Sequence, residues 1–115
     1  MDLSLVTRRV DGVVVLDVSG RLCAGGAVTM LRNAVKESVD NGATRVVINL
    51  ADVTFIDSSG LGELITTHTS INNRGGMVNL LKPSARIKDL LRMTRLTGVF
   101  PTFDDEALAV EALKA

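Results

Sequence analysis

A carboxylate and two hydroxyls stand together at Asp57, Ser58 and Ser59, directly before a segment with helical spacing. Asp and Ser are favoured residue types at the N-cap of a helix, where the helix dipole presents its positive end. Such a place can bind an anion, and a serine hydroxyl there can also become an anion by phosphorylation. Ser58 is therefore a candidate phosphorylation site, with an ordinary N-cap role as the alternative.

The same residues do not form a hydrolase site. A nucleophile elbow needs a glycine two residues before the serine, but Ile56 precedes Ser58 and Asp57 precedes Ser59 at that spacing. His68, the only histidine, lies ten residues beyond Ser58, which on a continuous helix is about 15 Å along the axis and too far for a hydrogen bond. The sequence predicts no catalytic residue and indicates a protein that is not an enzyme.

Ligand motifs are also missing from this stretch. There is no phosphate-binding loop of the Gly-x-x-x-x-Gly-Lys type, and Gly60-Leu61-Gly62 continues to Ile65 where a dinucleotide fingerprint needs its third glycine. Asp52 and Asp57 are two carboxylates without a third ligand at useful spacing. We therefore predict neither a metal nor a cofactor, and phosphate binding at a bare helix N-terminus remains a minor alternative.

A strand and a helix must position these residues. The segment Arg45–Leu50 is rich in β-branched residues and predicts a strand, and the polar stretch from Asp52 onwards predicts a loop. The helix begins near Ser58. Its apolar stripe has the spacing of an amphipathic helix and comprises Leu61, Leu64, Ile65, His68 and Ile71.

The chain before this segment predicts a β-hairpin followed by a helix. Asp11-Gly12 is a two-residue turn signal, and the strand after it is apolar on both faces, as expected when helices cover both sides of a sheet. One face carries Val14, Leu16 and Val18, and the other carries Val13 and Val15. The first helix follows a small-residue loop and has the stripe Val28, Leu31, Val35 and Val39.

The chain after the central helix predicts a strand over Met77–Leu81 and a third helix that begins at Pro83 and closes at Gly98. Pro101 confines any strand over Val99–Phe103 to the edge of the sheet. Asp104 and Asp105 cap a last helix with the stripe Leu108, Val110 and Leu113. The order ββαβαβα(β)α predicts an α/β fold with a mixed β-sheet, opened by an N-terminal hairpin and covered by about four α-helices.

Composition limits the class of partner. With 115 residues and 46% hydrophobic content, the chain predicts a single domain over residues 1–115. Equal numbers of basic and acidic residues, 13 of each, argue against nucleic acid or a membrane surface as the partner. Cys23 is the only cysteine, and no segment resembles a signal peptide or a membrane span, which together predict a cytoplasmic protein.

The segment Asn49–Gly62, with its Asp-Ser-Ser-Gly-Leu-Gly core, resembles the signature of the STAS domain, and specifically that of bacterial anti-sigma factor antagonists. The resemblance extends over essentially the whole chain. It includes Val18–Leu22, the turn at Asn73–Gly76 and the segment from Ile87 to Gly98.

This resemblance implies a STAS fold and a partner-switching phosphoprotein in the control of transcription. The unphosphorylated antagonist of such families binds an anti-sigma factor that is also a serine kinase, which frees the sigma factor; the kinase then phosphorylates the antagonist, and a phosphatase resets it. On this sequence the resemblance implies Ser58 as the phosphoacceptor, with Asp57, Ser59, Gly60 and Leu61 as the recognised loop and helix start. Nucleotide binding, also known in the family, is secondary here.

The chain departs from the family pattern after its second strand. The family commonly has Gly-Glu-Leu-Asp there, whereas this chain has Gly20, Arg21, Leu22 and Cys23. If the family's acids contact the kinase, Arg21 and Cys23 indicate a partner of different charge or a looser pairing. Arg21 as a plain surface residue and Cys23 as a small packing residue are the alternatives.

A second functional interpretation retains the fold but not the phosphorylation. In it the chain is an accessory STAS subunit of a larger assembly, such as a lipid-transport ABC complex or a stressosome, and Ser58 is not used as a switch.

Overall fold

The computed structural model describes residues 3–114. Five strands form one mixed sheet in the order β1-β2-β3-β4-β5, with four helices packed on it. The strands are β1 (Leu3–Val10), β2 (Val13–Leu22), β3 (Arg45–Ile56), β4 (Met77–Leu81) and β5 (Thr102–Phe103). The helices are α1 (Gly26–Asp40), α2 (Ser58–Asn72), α3 (Ala85–Met93) and α4 (Glu106–Lys114). The predicted fold class is confirmed.

The first two strands form the predicted hairpin. β1 and β2 pair antiparallel, from Leu3 opposite Gly20 to Val10 opposite Val13. The turn residues Asp11 and Gly12 both have positive φ, 52° and 83°, a combination that suits the right-handed twist of the two strands. Every other strand pair in the sheet is parallel.

The third strand is longer than its sequence pattern predicted. β3 continues through Asp52 to Ile56, so the loop predicted from Asp52 onwards is wrong. Its second half pairs with Ser19–Leu22 of β2 after register shifts, whereas β4 pairs only with the first half. Exposed residues such as Thr54 gave this half the composition of a loop because β4 does not continue beside it.

Two apolar cores lie on the two faces of the sheet. The larger core joins α1, α2 and α3 to one face and includes Val14, Leu16 and Val18, as predicted. The smaller core joins α4 alone to the other face and includes Val13 and Val15. Both sides of the parallel strands are thus covered, as their apolar composition requires.

Several helix details differ from prediction. In α2, Ile65 is exposed and Thr67 is buried instead. The third helix begins at Ala85, after the N-cap Ser84, and not at Pro83. It ends at Met93 and not at Gly98, because the chain turns into the left-handed region at Arg95, where φ is 62°. In α4, Leu108 is exposed and Ala109 is buried, because the face that packs on the second core consists of Ala109, Val110 and Leu113.

Candidate functional site

Asp57 alone connects β3 to α2 and holds the start of the helix. It is the N-cap residue, and its Oδ1 accepts a hydrogen bond of 2.8 Å from the backbone N–H of Gly60. Its Oδ2 accepts a second bond of 3.0 Å from the backbone N–H of Ala24, in the loop after β2. These donors, with Gly60 first, hold the pKa of the Asp57 carboxyl below its usual range. Asp57 therefore remains ionised at neutral pH and joins two loops.

The end of β2 lies directly against the start of α2. A Cβ atom added to Gly60 would lie 2.2 Å from the carbonyl oxygen of Leu22, a distance that no side chain tolerates. The same carbonyl accepts a hydrogen bond of 3.3 Å from the N–H of Asp57. Glycine at position 60 is thus required by a close backbone approach, which fixes α2 relative to the sheet.

Ser58 and Ser59 are the first two residues of α2, and both are exposed. The N-cap role that was the alternative for Ser58 belongs to Asp57, so the Ser58 hydroxyl is not needed to begin the helix. It lies at the positive end of the α2 dipole and is open to solvent. The position can accept a charged group without removing a hydrogen bond that holds the helix.

Arg21 and Cys23 lie at the end of β2, on either side of Leu22 in the sequence. Arg21 is exposed, and its guanidinium carbon lies 4.7 Å from the centroid of the Phe55 ring, within the range of a cation–π contact. Cys23 is half-buried and precedes Ala24, which donates to Asp57. The carboxyl ends of two adjacent parallel strands bring these residues to the same edge of the sheet as Ser58.

The other two predicted site residues lie beneath this surface. Gly60 and Leu61 are buried, Gly60 against the end of β2 and Leu61 in the larger core. Their contribution to the site is therefore to position α2. Of the predicted site residues, Arg21, Ser58 and Ser59 are exposed, and Cys23 and Asp57 are half-buried.

A groove beside Ser59 contains two charged residues that the sequence analysis missed. It has a volume of about 390 Å³ and is lined by Ala24, Gly25, Val28 and Arg32 on one side and by Ser59, Gly62, Glu63 and Thr66 of α2 on the other. Arg32 of α1 donates from Nη2 and Nε to the same oxygen of Glu63, at 2.9 and 3.2 Å. The only signal in the sequence was that Glu63 falls between apolar residues of the α2 stripe.

His68 has a packing contact in this structure. Its ring lies edge-to-face with Phe100, with 5.3 Å between the ring centroids. Within residues 3–114, no group of three His, Cys, Asp or Glu side chains lies close enough together to hold a metal ion. None of the four helices in that range is both long and apolar enough to cross a membrane.

The chain is similar to proteins of one family over nearly its whole length. Residues 4–109 match the model of the STAS domain. The anti-sigma F factor antagonist of Paenibacillus polymyxa is 28% identical over 115 residues, which cover 99% of this chain and 97% of that protein.

Solved structures show the same fold. An anti-sigma factor antagonist from Mycobacterium paratuberculosis superposes with a TM-score of 0.84 at 24% identity, covering 98% of this chain and 95% of that one. The Bacillus cell fate determinant SpoIIAA in its phosphorylated form superposes with a TM-score of 0.77 at 22% identity, covering 96% of this chain and 100% of that one.

Proposed function

This chain belongs to the STAS domain family, and from that membership we propose that it is an anti-sigma factor antagonist controlled by phosphorylation of Ser58. In the unphosphorylated state it binds an anti-sigma factor of the serine-kinase type and so releases a sigma factor. Phosphorylation of Ser58 ends this binding, and a phosphatase restores it. The observation that carries the proposal is an exposed Ser58 at the first position of α2, next to an N-cap that another residue supplies.

The geometry supports a switch that acts at the interface and leaves the fold intact. A phosphate adds roughly −1.5 to −2 charges at neutral pH. At the start of α2 this charge meets the positive end of the helix dipole, so it does not melt the helix. A partner docked over Ser58 must instead desolvate the phosphate, and an unmatched buried charge opposes binding by several kcal/mol, which is several decades in affinity.

The first test is the modification itself. Peptide mass spectrometry on the protein from its native cells is expected to find phosphate on Ser58. The matched variants are Ser58→Ala, which is expected to lose the phosphate, and Ser59→Ala, which is expected to keep it. Absence of phosphate on Ser58 under several growth conditions would favour the accessory-subunit function, in which an ABC-type ATPase or a large shell co-purifies with the chain.

The second test separates charge from shape at position 58. Ser58→Ala is expected to bind the anti-sigma factor almost as tightly as the unchanged, unphosphorylated protein does, because the hydroxyl does not cap α2. Ser58→Asp is expected to weaken binding at least tenfold with unchanged helix content by circular dichroism. Ser58→Asn is the control, because asparagine has the size of aspartate without its charge. This variant is expected to lose much less affinity for the partner than Ser58→Asp. Equal losses for Asp and Asn would show that bulk, and not charge, disturbs the interface.

A further inference from the structure

The two edge strands of the sheet are built differently. β5 is two residues long and directly follows Pro101, which cannot donate a hydrogen bond to a neighbouring strand. β1, at the other edge, is eight residues long, contains no proline or lysine and pairs with β2 without a register shift. Shortness, proline, lysine and bulges are the features that keep an edge strand from pairing with another chain. β5 has two of these features, whereas β1 has none of them.

The register of the hairpin decides which backbone groups of β1 are free. Val10 and Val13 flank the two-residue turn and form the hydrogen-bonded pair that closes it. Hydrogen-bonded and non-hydrogen-bonded pairs alternate along an antiparallel pair of strands, so the even-numbered residues of β1 bond to β2. The odd-numbered residues point their N–H and C=O groups away from β2, and they are Leu3, Leu5, Thr7 and Arg9. Within residues 3–114, no strand pairs with this outer side of β1.

Val6 lies in the middle of β1 and is 60% exposed. Its side chain is on the α4 face of the sheet, because Val10 packs on the smaller core and side chains alternate along a strand. The strand thus combines free backbone groups with an uncovered apolar side chain. A long edge strand of this kind is a template for pairing with a further strand.

The two arginines of β1 differ in how far their charges oppose such pairing. Arg8 is bound by both Asp17 and Glu106, so its charge is neutralised within the chain. Arg9 is exposed and lies near the turn end of the strand. A second β1 strand can therefore pair here if the register keeps the two copies of Arg9 apart.

We propose that β1 pairs antiparallel with β1 of a second copy of this chain, about a twofold axis at Val6. Two five-stranded sheets then form one continuous sheet. Val6 lies opposite Val6 of the second copy in a non-hydrogen-bonded pair, in which side chains approach most closely. Leu5 exchanges backbone hydrogen bonds with Thr7 of the second copy, and Leu3 does so with Arg9.

The side chains favour this register over its neighbour. The two copies of Arg9 lie six residues apart along the strands, or about 20 Å, which is beyond the Debye length of about 8 Å at physiological salt. A register centred on Thr7 would bring them to about 13 Å and would place Val6 opposite Arg8. None of the predicted site residues lies on β1, so the proposed pairing is independent of the function proposed for Ser58.

Sedimentation equilibrium of the whole, unphosphorylated protein tests the pairing. The weight-average mass is expected to rise from that of one chain towards that of two between about 5 and about 500 µM. Thr7→Pro removes an outward N–H and no hydrogen bond to β2, and it is expected to raise the dissociation constant at least tenfold. Val6→Lys places two cations opposite each other and is expected to do the same. Circular dichroism checks that each variant keeps its fold.

The matched control makes the same change at another exposed apolar residue. Met93 is 78% exposed and lies on α3, away from β1. Met93→Lys is expected to keep the dissociation constant within twofold of that of the unchanged protein. A protein that stays monomeric at every concentration would overturn the proposal, and so would a dimer that neither Val6→Lys nor Thr7→Pro weakens.

Disulfide formation tests the register. In a Cys23→Ala background, Val6→Cys is expected to form an intermolecular disulfide in the presence of oxidised glutathione, because the two side chains lie directly opposite each other. Arg9→Cys is the control on the same strand, since its two copies lie about 20 Å apart, and it is expected to remain largely unlinked. Cross-linking of Arg9→Cys as fast as that of Val6→Cys would overturn the pairing about Val6.

Discussion

Gly60 lies where α2 approaches the end of β2, and a substitution that adds a side chain there tests this approach. Because a Cβ atom there would lie 2.2 Å from the Leu22 carbonyl oxygen, Gly60→Ala must push α2 away from β2. We expect a loss of about 1–3 kcal/mol in the free energy of unfolding, as for an overpacked core. Urea denaturation measures it.

The control for this prediction lies two residues further along the same helix. A Cβ atom added to Gly62 would meet nothing within 4 Å. Gly62→Ala is therefore expected to gain about 0.5–1 kcal/mol from the higher helix propensity of alanine. If Gly60→Ala were as stable as Gly62→Ala, the close approach of α2 to Leu22 would be refuted.

Thr67 offers a second test, because its buried hydroxyl has no hydrogen-bond partner among residues 3–114. The residue is 1% exposed, and its Oγ1 finds no hydrogen bond within the described part of the chain. Thr67→Val keeps the shape and removes the unsatisfied group, so we expect the free energy of unfolding to rise by about 1 kcal/mol.

The neighbouring threonine is the matched control for Thr67→Val. Thr66 is exposed, and its hydroxyl donates to the Gly62 carbonyl at 3.0 Å. Thr66→Val is expected to change stability by less than about 0.5 kcal/mol. A loss of stability in Thr67→Val would mean that the buried hydroxyl has a partner, such as an ordered water.

At the scale of elements, α4 differs from the other three helices because it packs on the opposite face of the sheet. It covers its face of the sheet alone, with Ala109, Val110 and Leu113 buried. Polar contacts add to this packing, because Asn79 donates to the Ala109 carbonyl at 3.1 Å and Arg8 of β1 binds both Asp17 of β2 and Glu106 of α4. Arg8 thereby connects the hairpin to the last helix.

This connection predicts that Arg8→Met loosens α4 in particular. Methionine keeps most of the apolar stem but loses both ion pairs, which are partly exposed and therefore contribute about 1 kcal/mol together. Hydrogen exchange of the α4 amides is expected to accelerate more than that of the α2 amides. The control is Lys36→Met, which removes an exposed pair with Asp40 within α1 and is expected to leave α4 unchanged. Equal protection of α4 in both variants would contradict this role for Arg8.

The sequence predicted those elements whose pattern is local. The hairpin follows from Asp11-Gly12. In α1, the spacing correctly predicted Leu31, Val35 and Val39 as buried, whereas Val28 is only half-buried and Ala27 is buried instead. The second half of β3 escaped prediction because residues such as Thr54 are exposed beside β2, a fact of sheet pairing and not of composition. The spacing of the α4 stripe predicted that Leu108 is buried, but the face of α4 that packs on the sheet contains Ala109 instead.

The site was predicted in the same uneven way. Asp57, Ser58 and Ser59 are consecutive residues, so their place at a helix start was evident from the chain. Arg32 and Glu63 meet only because α1 and α2 pack side by side, and no local spacing connects residues 31 positions apart. Contacts that form only through tertiary packing could not be predicted from the spacing of residues in the sequence.

At the scale of the whole molecule, three carboxyls couple stability to pH. Arg8 holds the pKa of Asp17 and that of Glu106 below their usual ranges, and the amides of Gly60 and Ala24 do the same for Asp57. The three lie at different places, with Asp17 and Glu106 on the α4 face and Asp57 at the start of α2. Acid should therefore loosen both regions.

The sign of this dependence follows from the direction of the pKa shifts. A carboxyl whose pKa is lower in the folded state stabilises the fold above its unfolded pKa, about 3.9 for Asp and 4.3 for Glu, and this stabilisation is lost as pH falls through the folded pKa. We expect the urea midpoint to be nearly constant from about pH 7 to pH 5 and to fall steadily below about pH 4.5. The urea midpoint of the Arg8→Met variant is expected to fall less steeply, because two of the three carboxyls lose the cation that lowers their pKa. A midpoint that rises on acidification, or an equal slope in Arg8→Met, would show that these carboxyls do not govern the acid stability of the fold.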